Sequence, residues 1–354
     1  MDRLDKVFVF CTHPDNSGGV ANLYRTLKPH LPDHFVYMYV GSRQSKPGCL
    51  YFPLLLLQFV FFLFKYNVRG IIFNPSLGVK ALARDSVFIA ITKFIGIRHL
   101  VFFHGWDSTL LAHPFWCRIF KFTTLGNCVL LVLATEFREQ SGKIAPSAKI
   151  EVFRTAIDLP DNEHITEKLR RNADVSKRSL ELLFLGRLEE SKGVLDVITA
   201  ASKLNEKCPD CLVLHIAGGG ALQDTVRKLS EQKGFEFVRF HGYVRGEKKD
   251  RLFARSDVFA FPTRHSEGLP VAVLEAMAHG LCIVAPLIGG LKCQVGGSVI
   301  KQLHTSSVDD LVQVLVELQE SPHDRVLRQE RGVLMARHFE AKVVARDLLE
   351  ILNV

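Results

Sequence analysis

Two glutamates lie eight positions apart in the C-terminal half, Glu267 just before an apolar segment and Glu275 inside it. Pro270 suits the first turn of a helix, because its missing N–H group costs nothing there. Carboxylates accept hydrogen bonds from sugar or ribose hydroxyls, and free N–H groups at Gly268 and Leu269 can donate to phosphate oxygens. The spacing therefore predicts that these four groups share a site for a sugar and a phosphate.

A second pattern has the chemistry of phosphate binding. Arg187 and Lys192 flank a loop that follows an apolar run and precedes a helix starting at Gly193. Two cations beside a helix N-terminus suit a phosphate chain, because the helix dipole and its free N–H groups add to their charge. Taken alone, the pair is equally compatible with a structural salt bridge.

A glycine run, Gly218-Gly219-Gly220, also follows an apolar run. Glycines after a strand let a ligand approach the backbone. A dinucleotide site would need an acidic residue at the end of the next strand, to bind a ribose. That strand ends at His241-Gly242 instead, so the run does not indicate a dinucleotide site.

Short apolar runs alternate with helical patterns along the whole chain, as in parallel sheets with crossover helices. The polar segment 158–178 separates two such series. We therefore expect an α/β protein of two facing, doubly wound Rossmann-like domains, residues 1–159 and 160–335. Such folds bind ligands at the carboxyl ends of their strands, which here would line a cleft between the domains.

Residues 180–292 resemble the C-terminal domain of the retaining GT-B glycosyltransferases of the large glycosyl transferases group 1, or E-x7-E, family. The matching motifs, in order, are G-R-L-E-E-S-K-G, I-A-G-G-G, F-H-G-Y-V, S-D-V-F-A-F-P-T, S-E-G-L-P-V-A-V-L-E-A-M-A-H-G and G-G. The pattern departs from the family at Cys293, near which the family usually has an acidic residue.

The resemblance implies roles for the residues in these motifs. Arg187 and Lys192 would hold the diphosphate of a nucleotide sugar, Glu267 would contact its sugar, and Glu275 its ribose. The backbone of five further motif residues would lie against the donor. These are Gly218, Gly219, Gly242, Gly268 and Leu269. The segment from about Asp324 to Val354 is predicted to be helical, and the resemblance implies that its last part, a helix over 336–354, completes the first domain.

The N-terminal half matches the family more loosely. Gly18 and Gly19 resemble a glycine loop that faces the donor phosphates, although a simple tight turn explains them as well. His104 follows a strongly apolar strand, where the family has a histidine that reaches the donor sugar. Asp107 is a weaker candidate, and Asp158 matches an interdomain junction. Arg187, Lys192, His104 and Glu267 are thus the implied catalytic residues.

The chain lacks the D-x-D triplet with which metal-dependent GT-A enzymes hold a cation. We therefore expect neither a metal nor a cofactor, only a nucleotide diphosphate sugar as donor substrate. Only two of its eight cysteines form a C-x-x-C pair, and no further zinc ligands lie nearby in the sequence. Such scattered cysteines are typical of reduced thiols in a cytoplasmic protein.

The net charge of +8 arises in the N-terminal half. Residues 1–158 carry 18 Lys and Arg against 10 Asp and Glu, whereas the remainder carries 27 of each. The same half contains 18 uncharged residues, 47–64, at the lower limit for a membrane span. A buried helix, an interfacial helix and a span all remain open. The charge favours docking to an anionic membrane surface, and no nucleic-acid-binding motif is present.

The resemblance, together with these observations, implies a metal-independent retaining glycosyltransferase. It would transfer a sugar from a UDP- or GDP-linked donor to a lipid-linked or oligosaccharide acceptor, peripherally on the inner face of the cytoplasmic membrane. A sugar phosphorylase, a nucleotide-sugar epimerase or a non-catalytic glycosyltransferase-like partner protein are the alternatives, because fold alone does not fix function.

Overall fold

The chain folds into two compact units. The computed structural model describes residues 3–16, 18–40, 48–173, 179–264, 268–305 and 307–353. The first unit contains the described residues up to Ile157, together with residues 268–269 and 340–353. The second contains the described residues of 158–264 and 270–339.

The first unit has a six-stranded parallel sheet in the order β2-β1-β3-β4-β5-β6. The strands are β1 (Asp5–Cys11), β2 (Phe35–Tyr39), β3 (Asn67–Phe73), β4 (His99–Phe103), β5 (Cys128–Val132) and β6 (Lys149–Val152). The helices are α1 (Gly19–Leu27), α2 (Gly48–Lys65), α3 (Val79–Ile95), α4 (Ser108–Ala112), α5 (Pro114–Thr124) and α6 (Thr135–Ile144).

The second unit also has a six-stranded parallel sheet, in the order β12-β11-β10-β7-β8-β9. The strands are β7 (Leu180–Leu185), β8 (Leu212–Ala217), β9 (Val238–Phe240), β10 (Val258–Ala260), β11 (Cys282–Pro286) and β12 (Ile300–Leu303). The helices are α7 (Asn162–Ala173), α8 (Val194–Lys207), α9 (Gln223–Ser230), α10 (Glu247–Arg255), α11 (Val271–Ala278), α12 (Val308–Glu320) and α13 (Pro322–Ala336).

The C-terminal segment, predicted to be helical from residue 324 onward, consists of two helices. A 3-10 turn, Arg337–Phe339, separates α13 from the last helix, α14 (Ala341–Leu352). Helix α13 packs in the second unit and α14 in the first, against α1. Arg98 donates to the carbonyl of Ile351 at 2.8 Å, which ties the end of α14 to the first sheet.

Helix α2 packs on the first sheet with one of its faces. Leu55 and Phe59 are buried, and the Phe59 ring meets those of Phe10 and Phe88 edge-on at 5.2 and 5.4 Å between centroids. Aromatic rings in this arrangement contribute beyond the area they bury. The opposite face is exposed, as Leu57 shows with 68% of its surface accessible. Among the described helices, none has both the length and the apolarity to cross a membrane.

Replacing Phe59 with alanine should lower the free energy of unfolding by about 3–5 kcal/mol, because it opens a cavity among aromatic rings. Leu57→Ala, on the exposed face of the same helix, is the matched control and should change it by no more than about 0.5 kcal/mol. Urea unfolding followed by tryptophan fluorescence measures both values. Equal losses in the two variants would contradict this packing of α2.

Candidate functional site

Three turns at the carboxyl ends of neighbouring strands are joined by main-chain hydrogen bonds in the second unit. Leu188, in the turn after β7, donates its N–H to the carbonyl of Gly219, in the turn after β8, at 3.0 Å. Gly218 donates in turn to the carbonyl of Gly242, after β9, at 2.8 Å. We call these turns, residues 186–193, 218–222 and 241–246, the carboxyl edge of the second sheet. It brings the predicted donor-binding residues Arg187, Gly218, Gly219 and Gly242 together.

Glycine is required in the middle turn by both geometry and space. Gly218 has φ +145° and Gly220 φ +153°, a region that side chains rarely allow. A Cβ atom on Gly218 would overlap the carbonyl oxygen of Gly186, and one on Gly220 would lie 2.7 Å from that of Leu188. The backbones of the turns after β7 and β8 are therefore in direct contact, with no room for a side chain between them.

Both predicted phosphate ligands lie beside the start of α8. The Arg187 guanidinium is 69% exposed and pairs with Glu189 at 2.9 Å, so it is held at the surface of the turn. Lys192 is only 7% exposed, and it occupies the 3-10 turn that leads into Gly193, the N-cap of α8. Two cations thus lie where the positive end of the helix dipole is located.

Arg264 adds a third cation to this place. Its main-chain N–H donates to the carbonyl of Ser191 at 2.9 Å, and its guanidinium pairs at 2.9 Å with Asp196 in the first turn of α8. Each of the two arginines is thus paired with one carboxylate, and the side chain of Arg187 is the more exposed of the two, at 69% against 51%.

The four helices α8 to α11 of the second unit begin without side-chain caps. Among the described residues, no side chain caps the N-terminus of α8, α9, α10 or α11. The first N–H groups of a helix have no partner within it, so here they are left to backbone, water or a ligand. Such N-termini bind anions readily.

Glu275 lies in α11 with a cation beside it. Its Oε1 accepts from Lys249 Nζ, in α10, at 2.7 Å, and the two side chains are 21% and 24% exposed. Burial raises the pKa of the Glu275 carboxyl, and the Lys249 charge opposes that rise. A carboxylate that is largely desolvated and held by one lysine can exchange that partner for the hydroxyls of a ribose.

A chain of three side chains lies under the third turn. His215 in β8 is fully buried, 2.6 Å from Glu181 Oε2 in β7 and 2.9 Å from the His241 ring after β9. Burial, with the charges of His215 and Arg255, lowers the pKa of His241 to about 4. This hydrogen-bonded chain crosses three strands and anchors the residue that precedes Gly242.

His104 follows β4 in the first unit, at the carboxyl end of that sheet. It is partly exposed, and its Nε2 lies 2.9 Å from Asn74 Oδ1. The Phe102 ring lies against it, with 3.9 Å between centroids. Burial lowers the pKa of His104 to about 3, so the ring is neutral at physiological pH.

The other candidates of the first unit have simpler surroundings. Gly18 is the N-cap of α1 with φ +140°, and a Cβ atom on Gly18 or Gly19 would meet no described atom within 4 Å. This open space suits both a ligand and a plain turn. Asp107 is the N-cap of α4, where its carboxylate accepts from the N–H groups of Thr109 and Leu110. Its role in the fold is thus helix capping.

Glu267, predicted to contact the sugar, lies outside the described residues. Gly268 and Leu269, predicted as part of the donor-binding domain, are grouped with the first unit. Cys293 lies in a short π-helix, Leu291–Val295. Its thiol lies 3.8 Å from the carbonyl of Gly290.

Sequence reasoning missed two partners of the predicted residues. Lys249 is one of two adjacent lysines, and only the phase of α10 decides which of them meets Glu275. The available signal was that Glu275 lies among apolar residues, because a buried carboxylate needs a partner such as a cation. Asn74 follows β3 as His104 follows β4, and neighbouring parallel strands place such residues side by side.

Comparison with known proteins gives consistent results. Residues 165–331 match the model of the family described as glycosyl transferases group 1. D-inositol 3-phosphate glycosyltransferase of Corynebacterium aurimucosum is 27% identical over 59% of this chain and 50% of its own. A GDP-mannose-dependent alpha-(1-6)-phosphatidylinositol monomannoside mannosyltransferase of Mycobacterium tuberculosis is 30% identical over 52% and 50%. The chain spans about half the length of these curated relatives.

Solved structures show the same fold over almost the whole chain. Anabaena Alr3699/HepE in complex with UDP has a TM-score of 0.76 at 17% identity, covering 98% of this chain and 99% of its own. WaaG, a glycosyltransferase involved in lipopolysaccharide biosynthesis, has a TM-score of 0.67 at 14% identity, with the same coverage. Both units therefore have the Rossmann-like architecture of GT-B proteins, which confirms the predicted fold class.

Substituting Gly218 with alanine should destabilise the protein by about 2 kcal/mol or more, because the methyl group overlaps Gly186 and the backbone φ is unsuitable. Gly142→Ala is the control, since Gly142 lies within α6 with open space around it, and should be neutral or stabilising by up to about 1 kcal/mol. Thermal unfolding midpoints measure both effects. A Gly218→Ala protein as stable as wild type would show that the turns are not so close.

Proposed function

The chain belongs to the glycosyl transferases group 1 family, and on that premise we propose that it transfers a sugar from a UDP- or GDP-linked donor to a hydroxyl of a lipid-linked or membrane-proximal glycan. The observation that carries the proposal is the carboxyl edge of the second sheet. There, Arg187, Lys192, two glycine turns and uncapped helix N-termini form a cradle of cations and N–H groups.

The diphosphate is the part of the donor that this edge suits best. Transfer of the sugar leaves negative charge on the leaving phosphate, and groups fixed beforehand around that charge lower the barrier. Arg187, Lys192 and the first N–H groups of α8 supply positive charge there without a metal ion. Gly218 and Gly219 let the phosphates come within hydrogen-bonding distance of the backbone.

The Glu275–Lys249 pair supports a nucleoside beside the diphosphate. On binding, the carboxylate accepts hydrogen bonds from the two ribose hydroxyls and Lys249 is released from part of its contact. A neutral carboxyl would accept less strongly than a carboxylate. Because burial raises the pKa of Glu275, protonation in acid weakens donor binding.

The reaction we propose proceeds with retention of configuration. The acceptor hydroxyl attacks the anomeric carbon on the face from which the diphosphate leaves. The bond from that carbon to the phosphate oxygen breaks as the bond to the acceptor oxygen forms, and the leaving phosphate takes the hydroxyl proton. His104 and Glu267 hold the sugar in place, and no carboxylate acts as the nucleophile that retaining glycosidases use.

The nature of the substrates is suggested by the similar proteins. One relative is named as GDP-mannose-dependent and acts on phosphatidylinositol monomannoside, and the HepE structures contain UDP or UDP-glucose. These names support a sugar nucleotide as the donor and a glycolipid as the acceptor of this protein.

Arg187→Gln should lower kcat/KM for transfer by about 100-fold or more, because it removes charge from the leaving phosphate. Arg187 is exposed and contacts Glu189 at its own turn, so the fold should be kept. Arg227→Gln is the matched control, an exposed arginine of α9 paired with Asp224, and should leave turnover unchanged. Nucleotide release is measured with a panel of UDP- and GDP-sugars and a glycolipid acceptor.

The same assay tests the finer points of the mechanism. NMR of the product should show the anomeric configuration of the donor, and EDTA should not slow transfer. Inversion of configuration or loss of activity in EDTA would overturn the proposed mechanism. Absence of nucleotide release with every donor would overturn the proposed function itself.

The exposed face of α2 supports attachment to a membrane. Leu54, Leu57, Phe61 and Phe64 follow one another at helical spacing, and each is about 60–70% exposed. Lys65 lies beside them, with its ammonium 5.8 Å from the centre of the Phe61 ring. An apolar stripe bordered by cations is typical of helices that lie in the interface of a bilayer.

Two further helices extend this surface. Helices α2, α3 and α5 pack over the same hydrophobic core on one face of the first sheet. Phe94 on α3 is 94% exposed, and Phe115 on α5 is 55% exposed. Six basic residues lie on these helices, whereas Asp85 is their only acid and is buried against Arg84. The basic residues are Lys65, Lys80, Arg84, Lys93, Arg118 and Lys121. These features support the proposal that the protein docks on the anionic inner face of the cytoplasmic membrane.

Wild-type protein should sediment with phosphatidylglycerol vesicles and be released by salt, because surface electrostatics are screened. Phe61→Glu should reduce this binding by about tenfold or more, since it adds a repulsive charge to an apolar contact. Leu334→Glu, at a residue of α13 that is 59% exposed, is the control and should bind like wild type. Equal sedimentation with neutral vesicles, or none with either kind, would contradict membrane docking by this surface.

A further inference from the structure

A buried polar cluster lies at the carboxyl ends of β1, β3 and β4 in the first unit. Asn74 is 6% exposed and its side chain makes four hydrogen-bonding contacts. Its Nδ2 donates to the carbonyl of Phe10 at 2.9 Å and lies 3.0 Å from the Tyr24 hydroxyl. Its Oδ1 lies 3.1 Å from the same hydroxyl and 2.9 Å from His104 Nε2. Among the described residues, the contact with Asn74 Oδ1 is the only side-chain hydrogen bond of the His104 ring.

The orientation of the Asn74 amide follows from its contact with the main-chain carbonyl of Phe10. The Phe10 carbonyl has only lone pairs, so the Asn74 nitrogen must point to it. If the amide were turned over, Asn74 Oδ1 would face the carbonyl oxygen of Phe10, and neither atom can donate a hydrogen bond. Oδ1 is consequently the atom that faces His104, and it too has only lone pairs.

The orientation of the amide fixes the proton on the His104 ring. Since Oδ1 can only accept, Nε2 of His104 must carry the hydrogen that joins them. A neutral imidazole has a single ring proton, so Nδ1 keeps its lone pair. His104 can then accept a hydrogen bond through Nδ1 but cannot donate one.

We propose that Asn74 is a positioning residue that holds His104 as the Nε2–H tautomer, so that Nδ1 accepts a hydrogen bond from a hydroxyl of the transferred sugar. This inference rests on the proposed glycosyl transfer and adds a direction to it: the sugar hydroxyl is the donor and His104 the acceptor. It also excludes His104 as a proton donor to the leaving group, because its one proton is held by Asn74.

The first arm of the test uses wild-type protein labelled with ¹⁵N-histidine, with His104→Gln to assign the signal. We expect the neutral Nε2–H tautomer of His104 between pH 5 and pH 8, with and without nucleotide. An Nδ1–H tautomer, or a charged ring in this range, would overturn the proposal. This measurement needs no turnover, so it is independent of the proposed function.

The second arm compares Asn74→Asp with wild type over a range of pH. A carboxylate beside Nε2 favours the imidazolium, which has no lone pair on Nδ1. The same substitution removes the hydrogen bond from Asn74 Nδ2 to the Phe10 carbonyl, so stability is measured alongside kcat. We expect kcat of this variant to fall as the pH decreases and to recover towards the wild-type value at high pH, with KM for the donor changed less than threefold. Asn127→Asp, an exposed position in the same unit, is the matched control and should keep the wild-type profile.

Asn74→Leu provides a variant that cannot be rescued by pH. It should lower kcat by about 10- to 100-fold at every pH, because the ring is no longer held in one orientation. A pH profile of Asn74→Asp that superimposes on wild type would overturn the role of Asn74 while leaving the transferase intact. No transfer by wild type with any donor would instead overturn the proposed function.

Discussion

The contact of two backbone turns is the constraint on which the proposed donor site depends. Gly218 passes so close to the carbonyl of Gly186 that no side chain fits between them. The hydrogen bonds from Leu188 to Gly219 and from Gly218 to Gly242 then align the ends of β7, β8 and β9. Because the turns are joined, Arg187 and Lys192 are held beside the glycines, and a diphosphate would meet all of them at once.

Charge is distributed differently in the two units, and each distribution has its own physical basis. The C-terminal portion from residue 159 onward carries equal numbers of acidic and basic residues, so the proposed anion site there depends on local cations and helix N-termini. The N-terminal portion carries the whole excess of +8, six of its cations on helices that also expose apolar side chains. Local preorganisation suits a small anionic ligand, whereas a broad basic and apolar surface suits an anionic bilayer.

The strand runs were predictable from sequence because a parallel sheet buried on both faces requires continuous apolar segments. Strand β12 has no such continuous apolar segment, since Ile300–Leu303 lies at the edge of its sheet and contains two polar residues. The C-terminal helical segment was predicted as one piece, but Arg337–Phe339 divides it between the two units. Periodicity detects the apolar face of a helix and does not show where the helix changes its packing partner.

The site itself was predictable at the level of motifs and less so at the level of partners. Glycines, cations and Glu275 follow from local spacing, and the structure brings Arg187 and the glycines together. The contacts of Lys249 with Glu275 and of Asn74 with His104 join residues 26 and 30 positions apart. Such contacts depend on helix phase and strand order, which a single sequence does not encode in any local pattern.

Hydrogen exchange of the amides in the presence and absence of UDP or GDP tests the central claim most directly. If the carboxyl edge of the second sheet binds the diphosphate, saturating nucleotide will slow exchange at residues 186–195 and 218–222 and leave α2 unaffected. Unchanged exchange at both turns, or protection confined to other parts of the chain, would contradict the account.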